Sequence, residues 1–141
     1  MATFLLKTEP GTYSYADLVR EKKTAWSGVS NAAALIHLRS AKPGDECFIY
    51  HTGDEKSIVG LAKVASKPYE DPDRPGKTAT GEPKFAVIDL TPIKPAKTPL
   101  ARADMRANVK FKEFVLLKQS RLSVMPVPPA IEKIIRTLTG L

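Results

Sequence analysis

Two β-like runs separated by one short segment constrain the fold of this chain more than any other feature. Residues 47–51 and 58–65 are rich in apolar and β-branched side chains, and only the glycine-containing segment 52–56 lies between them. A connection this short joins antiparallel strands, because parallel strands need a crossover of a dozen or more residues. We therefore predict an antiparallel hairpin here.

Caps, prolines and apolar periodicity place the other elements. Ser14 and Asp17 fit a capping box for one short helix, and Asn31 supplies a cap for the next. Pro92 is expected to interrupt its strand or to place it at an edge, because proline cannot donate to a ladder. Periodicity leaves 114–117 open between a strand and a buried short helix. The remaining predictions are strands over 2–7 and 85–90, helices over 15–21, 32–39, 98–108 and 128–138, and loops over 26–31 and 67–83.

The order of these elements indicates the fold class. A strand, two helices, a block of strands and then mixed elements show no regular alternation, which favours an α+β fold built on a mostly antiparallel sheet. With 141 residues and 43% hydrophobic composition, one domain over 1–141 is expected. The apolar stretches are far shorter than the roughly 20 residues that a membrane-spanning helix needs, so no membrane partner is expected.

The excess of basic residues is concentrated in one segment. Of the formal charge of +7, residues 94–121 contribute +6, from eight basic side chains against Asp104 and Glu113. A concentrated positive charge suits a polyanion, because each phosphate that is neutralised releases counterions. A solvated face of a basic protein accounts for the same charge equally well, so charge alone leaves both interpretations open.

Several patterns of catalytic and cofactor chemistry are absent. The eight glycines form no phosphate loop or dinucleotide fingerprint, and one Cys with two His is too few for a zinc site. We expect neither a metal nor a cofactor, and no catalytic residue. Cys47, as the only cysteine, has no partner for an internal disulfide, which fits a reducing, cytoplasmic location. A buried hydrophobe is favoured over a nucleophile beside His51.

His51 and Trp26 each allow a functional and a structural interpretation. His51 precedes Asp54 and Glu55, either of which could orient it as a general base. A strand-end histidine bonded to the backbone is favoured, because no nucleophile lies beside it in the sequence. Trp26 is the only tryptophan, and it either anchors the core or stacks on a base, an interaction worth roughly 1–3 kcal/mol.

Four segments, read together, resemble the EVE domain family. They are FLLKTEP at 4–10, WSGVSN at 26–31, YHTG at 50–53 and QSRLSVMP at 119–126, in the order and at the spacing of the family over about residues 2–136. The resemblance implies a PUA-like fold, which is a bent, mostly antiparallel β-barrel flanked by short helices. It also implies a relationship to YTH domains, which hold a methylated adenine in an aromatic cage, and a role in binding modified bases of DNA or RNA.

The resemblance also implies roles for individual residues. Trp26 and Phe85 would supply faces for a base, while Ser27 and Asn31 would bond its edge, where donors and acceptors distinguish the bases. Arg121 would contact a phosphate or close the pocket. The whole implied pocket is Lys7, Thr8, Trp26, Ser27, Asn31, Tyr50, His51, Thr52, Phe85, Arg121 and Ser123. Beside it, the residues expected to follow a nucleic-acid backbone while the pocket takes a flipped base are Lys94, Lys97, Arg102 and Arg106.

The chain departs from the family pattern on the pocket side of the second helix. The family usually has an Asp after the tryptophan, an Arg before the asparagine, and then a Tyr and a polar residue. This chain has Ser27, Ser30, Ala32 and Ala33 at those positions. Phe85 stands where many members have a tryptophan, so the indole donor is lost. These differences imply a pocket that is wider, more apolar or suited to another ligand.

Three functions follow from these observations. The first is a base-binding module without chemistry of its own, taken as a monomer, whose partner is DNA or RNA with a modified base. The second is a hydrolase acting on a modified nucleotide or small metabolite, with His51 and either Glu9 or Asp54 as acid and base. The third is a protein-interaction scaffold with a vestigial pocket, which the alanines at 32 and 33 favour.

Overall fold

The computed structural model describes the whole chain, from Met1 to Leu141. Seven strands and five α-helices follow one another with a single 3₁₀ turn at Val109–Phe111. The strands are β1 Thr3–Thr8, β2 Thr24–Trp26, β3 Glu46–His51, β4 Ser57–Val64, β5 Tyr69–Glu70, β6 Ala86–Ala101 and β7 Val124–Pro126. The helices are α1 Tyr15–Glu21, α2 Ala32–Ser40, α3 Arg102–Arg106, α4 Val115–Lys118 and α5 Pro129–Thr139.

The strands form a mixed sheet that curls into a half-barrel. Its order is β2-β6-β4-β3-β1-β7, and β5 pairs with β6 outside this path. The β1–β3 pair is parallel, with Thr3 opposite Glu46 and Thr8 opposite His51, and every other pair is antiparallel. The predicted α+β fold on a mostly antiparallel sheet is therefore confirmed. Because β2 and β7 do not pair with each other, the barrel remains open between them.

The predicted caps and the predicted hairpin are present. Ser14 Oγ accepts a hydrogen bond from Asp17 N at 3.1 Å, and the Asp17 carboxylate accepts one from Ser14 N at 2.8 Å, which completes the capping box. Asn31 Oδ1 accepts from Ala34 N at 3.0 Å at the start of α2. β3 and β4 pair as an antiparallel hairpin. Segment 114–117, for which periodicity left a strand and a short helix open, overlaps the short helix α4, which Phe114 precedes.

Strand β6 corrects the prediction for the segment after residue 90. It continues for 16 residues through Pro92 to Ala101, so the helix predicted from residue 98 begins only at Arg102. Its pairing with β4 shifts register twice, once beside Pro92 and once beside Pro95. Irregular pairing at these points removes the need for a backbone donor, which explains why a strand can contain prolines there.

Two three-residue strands and one two-residue strand lie where no strand was predicted. β2 extends to Trp26, which was predicted in a loop, and β5 lies inside the predicted loop 67–83. β7 lies in the C-terminal signature segment. Strands this short carry no detectable alternation of apolar and polar residues, so their pairing is decided by the rest of the sheet.

The apolar core lies between the curled sheet and its helices. It is one cluster of 33 buried residues, to which Phe48, Phe111 and Phe114 contribute the largest fully buried side chains. Gly60 on β4 lies under the ring of Tyr15, where an added Cβ would come within 2.5 Å of ring atoms. No helix in the structure has the length and apolar character that crossing a membrane requires.

Candidate functional site

A cleft of about 450 Å³ opens at the seam where the sheet does not close. Strand β2 supplies one wall, while Lys7 and Thr8 at the end of β1, with Ser123 just before β7, supply the other. Thr12, Tyr13 and the segment 27–30 complete the lining. The cleft is therefore a consequence of the sheet topology, and its size is within the usual range for small-molecule sites.

Trp26 is both a core residue and a wall of this cleft. Its side chain belongs to the apolar cluster and is 8% exposed. The ring of Tyr13 meets the indole edge-on, with centroids 6.2 Å apart and planes at 84°. Trp26 is therefore compatible with both interpretations, as a core anchor and as a residue that contacts a base. Most of the side chain is buried and anchors β2, and only the remainder faces the cleft.

Tyr13 is an aromatic lining residue that sequence reasoning missed. Its backbone carbonyl accepts from Thr8 Oγ1 at 2.7 Å, and its hydroxyl donates to Glu21 Oε1 at 2.5 Å. Burial, and then the hydrogen bond to Glu21, raises the pKa of the hydroxyl, which stays protonated at neutral pH. The only sequence signal was an aromatic residue between the turn at Pro10 and the cap of α1.

Lys7 is the one charged residue in the cleft lining. Its ammonium donates to Ser120 O at 3.1 Å and lies 6.0 Å from the centroid of the Tyr50 ring. Its backbone N–H donates to Ser123 O at 2.9 Å, which fixes the strand end. Burial, and after it the positive charge of Arg102, lowers the pKa of Lys7.

His51 does not line the cleft, and its side chain instead connects the end of β3 to the start of α1 and to Glu55 in the β3–β4 turn. Its Nε2 accepts from the backbone N–H of Tyr15 at 3.0 Å, and its Nδ1 lies 2.6 Å from Glu55 Oε2. Since a backbone amide can only donate, Nε2 carries no proton and Nδ1 donates to the carboxylate. Both ring nitrogens are occupied, and the carboxylate partner is Glu55, not Asp54.

Cys47 offers no nucleophile beside this histidine. The side chain is fully buried in the core, and burial raises the pKa of the thiol.

Across the chain, no group of three or more His, Cys, Asp or Glu residues could hold a metal ion.

Asn31 and Arg121 lie together in a separate groove of about 290 Å³. Asn31 Oδ1 is used by the cap of α2, which leaves its amide nitrogen for other contacts. Ala33 also lines this groove, so one of the departures from the family pattern alters the groove and not the cleft.

Phe85 contacts the cleft only through another residue. Its ring is covered by the guanidinium of Arg74, 4.2 Å from the centroid, and by the ammonium of Lys84 at 5.5 Å. Arg74 then donates to Ser30 Oγ at 2.8 Å and to Val29 O at 3.1 Å, on the rim of the cleft. Arg74, which sequence reasoning missed, thus connects the proline-rich segment to the rim.

The four basic residues predicted to follow a backbone lie in two places. Arg102 lines a small second cavity that also includes Lys7, Tyr50 and Thr52, and Arg106 lines the groove next to it. Lys94 and Lys97 are exposed in the middle of β6 and line neither cavity. Lys97 packs beside Gly140 at the end of α5.

Comparison with known proteins gives consistent results. The family model described as the EVE domain matches residues 2–138, which confirms the resemblance of the four segments. Human thymocyte nuclear protein 1 is 28% identical over 152 residues, an alignment that covers 88% of this chain and 68% of that protein.

Two solved structures share the fold along almost their whole lengths. A Rhodopseudomonas palustris protein solved by NMR superposes with a TM-score of 0.88 at 35% identity, covering 99% of this chain and 94% of that one. The crystal structure of human thymocyte nuclear protein 1 in complex with DNA containing 5-methylcytosine superposes with a TM-score of 0.88 at 25% identity. That alignment covers 100% of this chain and 99% of the human one.

Proposed function

This chain belongs to the EVE domain family, and on that premise we propose that it is a nucleic-acid-binding module that holds one modified base in the Trp26 cleft. The observation that carries the proposal is the composition of the cleft. Trp26 and Tyr13 contribute aromatic rings to the lining, and residues that bear hydroxyl groups surround them. Such a lining suits a planar heterocycle with polar edges.

The polar groups of the lining favour a neutral ligand group. Hydroxyls both donate and accept, so they can bond either kind of atom on a base edge. The hydroxyl-bearing residues of the lining are Thr8, Thr12, Thr24, Ser27, Ser30 and Ser123, with a further phenol from Tyr13. Lys7 stands at one side as the only charge. A neutral base in the cleft with an anionic phosphate near Lys7 satisfies this arrangement.

The base must leave its stack to enter the cleft. A base inside a duplex exposes only its edges, and proteins that enclose a whole base extrude it or act on single strands. The human relative in complex with DNA containing 5-methylcytosine supports a methylated pyrimidine as the first ligand to test here. The departures at Ser27 and Ser30 lie on the cleft lining and are the positions where selectivity would differ from that of relatives.

A binding role without catalysis is part of the proposal. The hydrolase alternative needs a free nitrogen on His51, and both ring nitrogens are occupied by Tyr15 and Glu55. The alternative of a protein-interaction scaffold has no comparable support, because Ala32 and Ala33, which replace polar residues of the family, lie away from the cleft lining.

Fluorescence of the single tryptophan tests the proposal directly. Matched oligonucleotides with cytosine or 5-methylcytosine at one position are titrated at low and moderate salt, and Trp26 emission is followed. We expect quenching that saturates at lower concentration for the methylated oligonucleotide. Binding that depends on salt but not on the methyl group would contradict base recognition and leave only a basic surface.

The role of Trp26 itself requires a second measurement. Anisotropy of a labelled oligonucleotide reports binding when the fluorophore is removed, so Trp26→Phe can be compared with the parent chain. We expect a loss of discrimination between cytosine and 5-methylcytosine, because a smaller ring offers less stacking surface. Retained discrimination would place the base elsewhere. Tyr69→Phe, outside the cleft, serves as the control aromatic variant.

A further inference from the structure

A second, smaller cavity adjoins the cleft and is not explained by base binding. It measures about 130 Å³, and its charged lining residues are Lys7, Lys56 and Arg102. Tyr50, Thr52 and Ser120 contribute hydroxyl groups to the same lining. Since Lys7 lines both spaces, the small cavity opens beside the place proposed for the base.

The three cations of this cavity have no acidic partner. No carboxylate lines the cavity, and none of the three forms an ion pair anywhere in the chain. Asp54 and Glu55 lie in the outer groove that Lys56 and Arg102 also line, and Glu55 is bonded to His51. The lining of the cavity itself carries three positive charges and no carboxylate, so an anion there would reduce the repulsion among them.

The backbone of Lys56 has a conformation that is unusual for a residue with a Cβ. Its φ of 43° lies in the left-handed region, which is uncommon for residues with a Cβ and is normally occupied by Gly or Asn. Its carbonyl accepts from the backbone N–H of Arg102 at 2.7 Å, so the β3–β4 turn and the start of α3 are joined. The backbones of two of the three cations are thus hydrogen-bonded to each other, at a turn where Gly or Asn would be less strained.

We propose that this cavity is a phosphate-binding subsite for the phosphate next to the base in the Trp26 cleft. The inference rests on the proposed function. A cavity of this volume holds about four liquid waters at roughly 30 Å³ each, which is enough for one tetrahedral oxyanion. Ammonium and guanidinium groups together with hydroxyls are the donors that bind phosphate oxygens in proteins.

The Lys56→Asn variant tests the subsite with little risk to the fold. Asparagine tolerates the left-handed conformation, so the charge is removed without new backbone strain. Lys22→Asn is the matched control, because Lys22 also has a positive φ, at 67°, and lines neither cavity. Both variants lose one positive charge from the same residue type in the same conformation.

For a 5-methylcytosine oligonucleotide, we expect Lys56→Asn to weaken binding about tenfold, the usual effect of one charge-assisted hydrogen bond. The loss should be equal for the unmodified oligonucleotide, and the slope of log affinity against log salt should fall by about one. Lys22→Asn should change neither quantity. Equal effects of the two variants would overturn the subsite, since only general charge would then matter.

Titration with phosphate compounds separates this inference from the base-binding proposal. Amide NMR signals of Thr52, Gly53 and Ser120 are followed while inorganic phosphate, a nucleoside, and its monophosphate are added. Saturable shifts with both phosphate compounds, lost in Lys56→Asn, support the subsite even if no oligonucleotide binds. If the phosphate compounds bind but no oligonucleotide does, the subsite binds the phosphate of a free nucleotide, and only the proposal of nucleic-acid binding is wrong. Absence of shifts with both phosphate compounds would overturn the subsite, whatever the oligonucleotides do.

Discussion

The guanidinium of Arg74 lies 4.2 Å from the centroid of the Phe85 ring, and the same group bonds the rim of the cleft. It donates to Ser30 Oγ and Val29 O, and its Nε lies 3.3 Å from the buried carboxylate of Asp71. One side chain therefore connects segment 67–85 to the residues that follow Trp26. The planar fork of arginine makes stacking and several directed hydrogen bonds possible at once, which lysine cannot do.

Replacing Arg74 with lysine should loosen the rim of the cleft. We expect faster amide exchange at 28–30, because lysine cannot reproduce both charge-assisted hydrogen bonds to the rim, and about three- to tenfold weaker binding of oligonucleotides as the rim loosens. Hydrogen exchange followed by mass spectrometry measures the first effect. Arg20→Lys, which alters an exposed pair with Asp17, serves as the control. Unchanged exchange at 28–30 would mean that the rim is held by other contacts.

Replacing His51 with alanine should reduce stability without affecting a chemical step. The variant leaves the buried backbone N–H of Tyr15 without an acceptor, which typically costs about 1–3 kcal/mol. Urea unfolding of the variant measures this loss. His37→Ala, at a half-buried position of α2, should change stability much less because its side chain makes no hydrogen bond that would be lost. Unchanged stability of His51→Ala would contradict a structural role and reopen the general-base interpretation.

Adding one methyl group at Gly60 should destabilise the fold. A Cβ at this position would lie 2.5 Å from atoms of the Tyr15 ring, whose hydroxyl donates to Leu61 O at 2.7 Å. The ring cannot retreat without losing that bond, so Gly60→Ala is expected to cost about 1–3 kcal/mol from overpacking. Gly11→Ala is the control, since its Cβ would meet only the mobile carboxylate end of Glu9. Equal denaturation midpoints for the two variants would contradict the packing described here.

Alkaline pH should weaken anion binding through Lys7. Burial and the charge of Arg102 lower the pKa of Lys7 below its ordinary 10.5, so the folded protein loses this proton before the unfolded chain does. Between the two pKa values the unfolded state binds more protons, and this residue's contribution to stability therefore rises with pH. Phosphate affinity should fall over the same range because the cation is lost.

Lys7→Arg distinguishes this effect from general alkaline loss of binding. Arginine keeps its charge throughout the accessible pH range, so affinity measured by calorimetry from neutral to alkaline pH should fall less than in the parent chain, with Lys56 as the remaining lysine of the cavity. Tyr50 stays neutral over most of the range, since burial raises the pKa of its hydroxyl. A parallel decline in the parent chain and the variant would exclude Lys7 as the titrating group.

Local interactions made much of the fold predictable. Ser14 with Asp17, and Asn31 with Ala34, satisfy helix ends with side chains only three residues away. The β3–β4 hairpin follows from two apolar runs and a short connection. The final helix begins at Pro129 and ends at Thr139, just before Gly140, which adopts a φ of 79°. In each case the interacting groups are close in sequence, so residue type and spacing are sufficient.

The structure distributes the candidate site residues over several places. Trp26, Ser27, Lys7, Thr8 and Ser123 do line one cleft. Of the other residues that the resemblance implied, Tyr50 and Thr52 line the second cavity, and Asn31 and Arg121 line a separate groove. The His51 ring contacts Tyr15 and Glu55, and Phe85 lies under Arg74. Nothing in the sequence pairs Arg74 with Phe85, or His51 with the backbone of Tyr15, because these contacts depend on how loops fold over the sheet.

The sequence by itself determined the fold class, most helix and strand starts, the family, and part of the lining of the Trp26 cleft. Only the tertiary structure decided where the cleft lies, because β2 and β7 are far apart in the chain and meet as the two unpaired ends of a sheet. It also decided that Lys7, Lys56 and Arg102 share a cavity. Such long-range arrangements depend on strand order and packing, and strands of three residues leave almost no trace of either in local sequence.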